Sequence, residues 1–132
     1  MASHRLGGVL MAVTALFSPL VLADVASAEA HPSSTLTLTV QPSVGTTSTV
    51  LLHCGPAGGS HPSPQAACDE LALAGGDFDS LPDKQGTFCT MEHRPVTVSA
   101  VGRWKCANVN WTRTYGNACQ LRVDTGSVFA FS

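Results

Sequence analysis

Five cysteines, Cys54, Cys68, Cys89, Cys106 and Cys119, carry the most reactive chemistry in this 132-residue chain. An oxidising compartment favours pairing them and leaves one over. The spacings alone leave the choice of pairs open. None forms a C-x-x-C, which removes the main support for a zinc ribbon or a thioredoxin-type redox site. His53, Cys54, His61 and Cys68 offer soft metal ligands, but their spacing fits no recognisable zinc pattern, so neither metal nor cofactor is expected. Ser, His and Asp residues are numerous, yet neither G-x-S-x-G nor H-E-x-x-H occurs. A chain this short with no catalytic signature is not expected to be an enzyme.

A second stretch is chemically unusual: Thr87-Phe-Cys-Thr-Met-Glu-His-Arg-Pro95 puts Met91 two residues after Cys89, with three polar or charged residues and then a proline behind it. A methionine seen alone is ordinarily a core residue. Here Glu92, His93 and Arg94 argue against burial of the segment, and Pro95 restricts its exit.

The elements that must hold these residues follow from the rest of the chain. An apolar run from about Leu6 to Leu22 is preceded by His4 and Arg5 and ends in Ala26-Ser-Ala28 and Ala28-Glu-Ala30. It reads as a secretory signal peptide over residues 1–30, cleaved after Ala28 or Ala30; Pro19 and Asp24 argue against a retained membrane anchor. A secreted, extracellular domain of roughly 100 residues remains at 31–132, small enough for cross-links to matter to its stability. The whole chain carries 7 Lys and Arg against 9 Asp and Glu. Removing Arg5 and Asp24 leaves that balance of −2 unchanged, and losing Glu29 as well makes it −1. This is far from the basic footprint of a nucleic-acid binder.

Within that domain, Thr35-Leu-Thr-Leu-Thr-Val40 alternates strictly, as a half-buried strand does, and Thr49-Val-Leu-Leu-His-Cys54 supplies an antiparallel neighbour across a turn at 41–47. After a Gly- and Pro-rich loop, Ser63-Pro64 offers an N-cap and a first-turn proline. Ala67, Cys68 and Leu71 then recur at helical spacing, Asp69 and Glu70 lie early enough to favour the helix dipole, and Gly75-Gly76 can close the helix, predicting it over 64–74. Alternation resumes at Val96-Thr-Val-Ser-Ala100, leading to Trp104, and again at 109–115, which predicts a hairpin turning near Lys105 to Asn108. Ser127-Val-Phe-Ala-Phe131 reads as a last short strand. The aggregate is α+β, a helix on an antiparallel sheet. Trp104, Trp111 and Tyr115 on alternating strands are expected in the sheet core or a subunit contact rather than on a ligand-stacking face. The sequon Asn110-Trp-Thr112 lies on a predicted strand and is taken as coincidental.

Taken in order, Cys54-Gly-Pro, Gly-Ser-His-Pro62, Ala67-Cys-Asp-Glu-Leu71, Gly75-Gly-Asp77, Cys89-Thr-Met91, Asn117-Ala-Cys119 and Ser127-Val-Phe-Ala-Phe131 resemble the Streptomyces subtilisin inhibitor family, over about 36–131. The resemblance implies a five-stranded antiparallel sheet with two helices, the second around Asn117 to Leu121. It also implies disulfides Cys54–Cys68 and Cys89–Cys119, each worth about 3–4 kcal/mol in the chain-entropy model. It implies inhibition of subtilisin-like serine proteases, with chymotrypsin-like enzymes as secondary targets, and a homodimer joined through sheet packing.

By the same carry-over, Met91 supplies the acyl side and Glu92 the leaving side of the reactive bond, with Phe88, Cys89, Thr90 and His93 in the contacting loop. A flexible methionine suits the apolar pocket of such an enzyme. His93 is expected as a solvated loop histidine. Two residues depart from the family pattern. Glu92 stands where valine is expected, with Arg94 on the same side of an extended chain to neutralise it. Cys106 is a fifth cysteine where four are expected, placed in the hairpin turn, either a capped or buried single thiol or an intermolecular link. If Glu92 abolishes inhibition, the alternative is a secreted binding module on the same scaffold.

Overall fold

The computed structural model describes residues 33–132, together with 7–9, 12 and 14–16. Most of the expected signal peptide therefore lies outside the described residues. Among those described, no helix is long and apolar enough to cross a membrane.

Five strands, β1 (Ser34–Pro42), β2 (Ser48–Cys54), β3 (Gly58–Gly59), β4 (Val96–Trp104) and β5 (Ala107–Tyr115), form one sheet in the order β3-β2-β1-β4-β5. Every neighbouring pair is antiparallel. The alternation in β1 does what its period requires: Leu36, Leu38 and Val40 are buried, while Thr35 and Thr37 face water. The same inner face takes Leu52 and Cys54 from β2, Val96, Val98, Ala100 and Trp104 from β4, and Tyr115 from β5. Trp111 is half-buried between Phe78 and Phe129, at 5.2 and 5.8 Å. The aromatic residues thus belong to the core.

Helix α1 (Pro64–Leu73) packs Ala67, Cys68 and Leu71 into that core, against β2 and β3. Pro64 opens it as expected, but the Ser63 side chain makes no capping hydrogen bond; its backbone N–H instead donates to His61 Nδ1 at 2.9 Å. The first turn contains no acidic residue. Asp69 accepts from Gln65, and Glu70 accepts from the backbone N–H of Ser127 at 2.7 Å, so the dipole role expected for both gives way to side-chain ties. Gly75 and Gly76 take positive φ and end the helix, and a Cβ on Gly76 would collide with the Trp104 ring. A single 3-10 turn at Phe78–Ser80 follows. Asp77 caps it, and hydrogen bonds from the Ser80 hydroxyl and the Asp79 N–H hold its carboxyl below the usual range.

The β4–β5 hairpin turns on Lys105 and Cys106, Lys105 having φ 52°; Cys106 is a free, exposed thiol, not a buried one. The second helix, α2 (Ala118–Thr125), runs longer than expected and contributes Leu121 and Thr125 to the interior. Disulfides join Cys54 to Cys68 and Cys89 to Cys119, with Cα separations of 5.6 and 5.7 Å.

One strand is misplaced in the sequence reading. Ser127 to Phe131 forms consecutive turns, not a strand, and inserts Val128 and Phe129 fully into the core. The fifth strand is Gly58–Gly59, paired with β2. Gly59 is required there, because a Cβ would strike the Leu51 carbonyl. The C-terminal turns are pinned by His61, whose Nε2 donates to the Val128 carbonyl at 2.9 Å.

Candidate functional site

Between the 3-10 turn and β4, residues 81–95 have no regular structure beyond a turn at Gln85-Gly86. Such a segment stays in one conformation only if other elements tether it. Its start is tied where the Lys84 N–H donates to the Val123 carbonyl at 2.8 Å, and its middle where Cys89 is bonded to Cys119 on α2. Its end is tied twice: the Arg94 N–H donates to the Gly116 carbonyl at 2.9 Å, and the Pro95 carbonyl accepts from the Ser43 N–H at 2.9 Å.

Asn117 supplies the tether closest to Met91. As the N-cap of α2 it is extended (φ −164°, ψ 172°), and its Oδ1 accepts from the Gln120 N–H at 2.8 Å. With the oxygen held at the helix terminus, the amide nitrogen must point the other way. Nδ2 donates to the carbonyls of Thr90 at 3.1 Å and Glu92 at 2.9 Å. One side chain therefore bridges the residues on both sides of Met91.

What this arrangement displays is apolar. Met91 is 99% exposed and Phe88 97%, so neither packs on the domain that holds them. Thr90, Glu92 and His93 are also exposed, and Cys89 is half-buried beneath them. Arg94 Nε lies 3.2 Å from Glu92 Oε1, an exposed pair worth about 0–1 kcal/mol. The pairing expected from their spacing is present, and the charge of Glu92 is balanced within the segment.

The other sequence candidates fall elsewhere. Cys54 and Cys68 are consumed in a disulfide, His53 Nδ1 lies 3.2 Å from the Thr35 hydroxyl, and buried His61 has both ring nitrogens engaged. Among the described residues no group of three or more His, Cys, Asp and Glu could hold a metal ion. Asn117 is the tethering residue that sequence reasoning passed over, naming it only in the Asn117-Ala-Cys119 motif and as the start of a helix. The available signal was its position: an N-cap residue two before Cys119 must lie close to the partner segment at Cys89.

The sequence model of the subtilisin inhibitor-like family matches residues 31–117. A subtilase-type protease inhibitor of Streptomyces fradiae is 40% identical over 138 aligned positions, covering 98% of this chain and 97% of its own. Subtilisin inhibitor-like protein 1 of Streptomyces cacaoi is 46% identical over 85 residues, 62% of this chain and 77% of its own. Among solved structures, Streptomyces caespitosus sermetstatin, crystallised in complex with Bacillus licheniformis subtilisin, superposes with a TM-score of 0.62 at 33% identity, covering 75% of this chain and 99% of that one. The Streptomyces fradiae and Streptomyces cacaoi relatives are named as inhibitors, not enzymes, in agreement with the expectation that this chain catalyses nothing.

Proposed function

The chain belongs to the subtilisin inhibitor-like family, and from that premise we propose that it is a secreted inhibitor of subtilisin-like serine endopeptidases that presents Met91–Glu92 as its reactive bond. The observation that carries this is the immobilised exposure of Met91: an apolar side chain wholly in water, on a segment held at Cys89, Thr90, Glu92 and Arg94.

The physics of a poorly hydrolysed substrate analogue follows. A subtilisin-type enzyme attacks a carbonyl with an activated serine and stabilises the resulting oxyanion. Met91 would enter its apolar pocket, and full burial of such a side chain contributes about 1.5–3 kcal/mol. Ordering five free residues, such as Phe88 to Glu92, would cost roughly 1–2 kcal/mol each in backbone entropy. A segment already tethered largely avoids that cost, which outweighs any penalty from the exposed Glu92–Arg94 pair. If the bond is cut, the new Met91 carboxylate and Glu92 amine stay together, because the Asn117 amide holds carbonyls on both sides of the break. Phe88, three residues before Met91 and equally exposed, would add a second apolar contact, with Thr90 and His93 completing the footprint.

The remaining elements of the proposal concern processing and assembly. Residues 1–30 would be removed on export, leaving a domain over 31–132. Two such domains would pair through the outer sheet face, where Leu51, Thr37 and Val101 lie in register across β2, β1 and β4; Leu51 and Val101 are the partly exposed apolar residues of that face.

Titration of subtilisin with purified, oxidised protein tests the proposal, with mass spectrometry of the complex to locate any nick. Stoichiometric loss of activity with slow cleavage only between Met91 and Glu92 is the expected result. Unaffected subtilisin with rapid digestion at that bond would leave a substrate, or a scaffold serving another partner.

A further inference from the structure

We propose that the β1–β2 turn, through Val44, forms a second contact with the bound protease on the leaving-group side of the Met91–Glu92 bond. This deepens the inhibitory proposal above and rests on it. Among residues 33–132, four large apolar side chains are more than three-quarters exposed: Val44 at 77%, Leu73 at 82%, Phe88 and Met91. Single exposed apolar residues are ordinary on a protein surface, so exposure alone assigns Val44 nothing. Leu73 merely ends α1. Val44, by contrast, is tied to the reactive segment.

Two observations place it there. The neighbouring Ser43 donates its N–H to the Pro95 carbonyl at 2.9 Å, fixing the turn to the exit of the loop. Pro42, Ser43 and Val44 also share the walls of an open hollow of about 280 Å³ with Glu92, Arg94 and Asn117. Gly45, at φ 119°, reverses the chain immediately after Val44, so the side chain stands at a tight bend. An enzyme that accepts Glu92 to Arg94 must bring its leaving-side rim up to this hollow. Val44, with Pro42 and Pro95 beside it, offers that rim an apolar patch next to the Glu92–Arg94 pair. The occupant is thus the protease already engaged at Met91, and the surface is continuous with the loop that engages it.

The test compares the full oxidised protein with Val44→Asp, Val44→Ile, Met91→Gly and the Val44→Asp/Met91→Gly double variant, by subtilisin titration and thermal unfolding. Val44→Asp is expected to raise the inhibition constant about tenfold or more without shifting the melting temperature, and Val44→Ile, which restores an apolar side chain, to recover inhibition. The two single losses should multiply in the double variant, since the residues act on opposite sides of the bond. Wild-type inhibition by Val44→Asp alongside its loss in Met91→Gly would overturn the Val44 contact while sparing the inhibitory proposal. Absence of inhibition by the wild-type protein would overturn both.

Discussion

Asn117→Asp separates the two roles that one side chain plays at the base of the loop. The variant keeps an oxygen to accept from the Gln120 N–H, so the cap of α2 survives, and the added negative charge suits a helix N-terminus. It replaces the amide nitrogen by a carboxylate oxygen facing the carbonyls of Thr90 and Glu92, so both loop hydrogen bonds are lost. Two such bonds contribute about 1–3 kcal/mol together, and electrostatic repulsion adds to their loss. If that restraint is realised in the complex, the inhibition constant rises roughly 5- to 150-fold. Asn117→Ala loses the cap as well, about 1 kcal/mol more, which for a domain of this size lowers the melting temperature by about 4–8 °C. The assay is titration of subtilisin with each variant, with mass spectrometry following cleavage at Met91–Glu92 and calorimetry following stability. The expected pattern is weaker, temporary inhibition by Asn117→Asp at near-native stability. An Asp variant that inhibits and resists cleavage like the wild type would refute the role assigned to this amide and leave the Cys89–Cys119 disulfide as the main restraint.

Glu92→Val is expected to tighten subtilisin inhibition, because it removes a charge from the leaving side of the proposed reactive bond while the lost pair with Arg94 costs at most about 1 kcal/mol; equal or weaker inhibition would contradict a penalty from Glu92. His61→Ala removes two hydrogen bonds to groups inside the fold, the Val128 carbonyl and the Ser63 N–H, and is expected to lose about 2–4 kcal/mol in urea unfolding. A loss below about 0.5 kcal/mol would mean that the C-terminal turns are held by other contacts. One thiol per chain should react with a thiol reagent under native conditions and none in Cys106→Ser, with unchanged stability; reaction of a second cysteine would contradict the two disulfides. A disulfide-linked dimer on non-reducing gels would instead mark Cys106 as an intermolecular bridge.

The strands at 34–42, 48–54, 96–104 and 107–115 were legible because period-two alternation has one physical cause, a sheet with one dry face, and β1, β2 and β4 each have inner residues that bury. Helix α1 was legible from Pro64 and the glycines that end it, since both act through their own backbone. Glu70 was misread because its carboxylate has two possible partners, the local helix terminus and a distant backbone N–H, and Ser63 because its side chain makes no cap hydrogen bond. For Glu70 the distant Ser127 N–H prevailed, and the Ser63 N–H was taken by His61.

Local chemistry is what a linear chain can express: dihedral preference at glycine and proline, alternation, and the apolar character of Met91 among charged neighbours. Composition pointed away from a nucleic-acid binder, and the ordered set of motifs from Cys54 to Phe131 pointed to the inhibitor family without any distance being known. Which apolar segment becomes the last strand is a different kind of question. Ser127 to Phe131 has the side chains for an edge, but pairing requires a free neighbouring backbone. The β2 edge is taken by Gly58–Gly59, and the C-terminal residues bury Val128 and Phe129 through turns tied to His61 and Glu70. The stiffness of the loop around Met91 likewise depends on Asn117 meeting Thr90 and Glu92 across 27 and 25 residues of sequence. Only folding brings those groups within hydrogen-bond range, because a contact of that separation has no local signature in the chain.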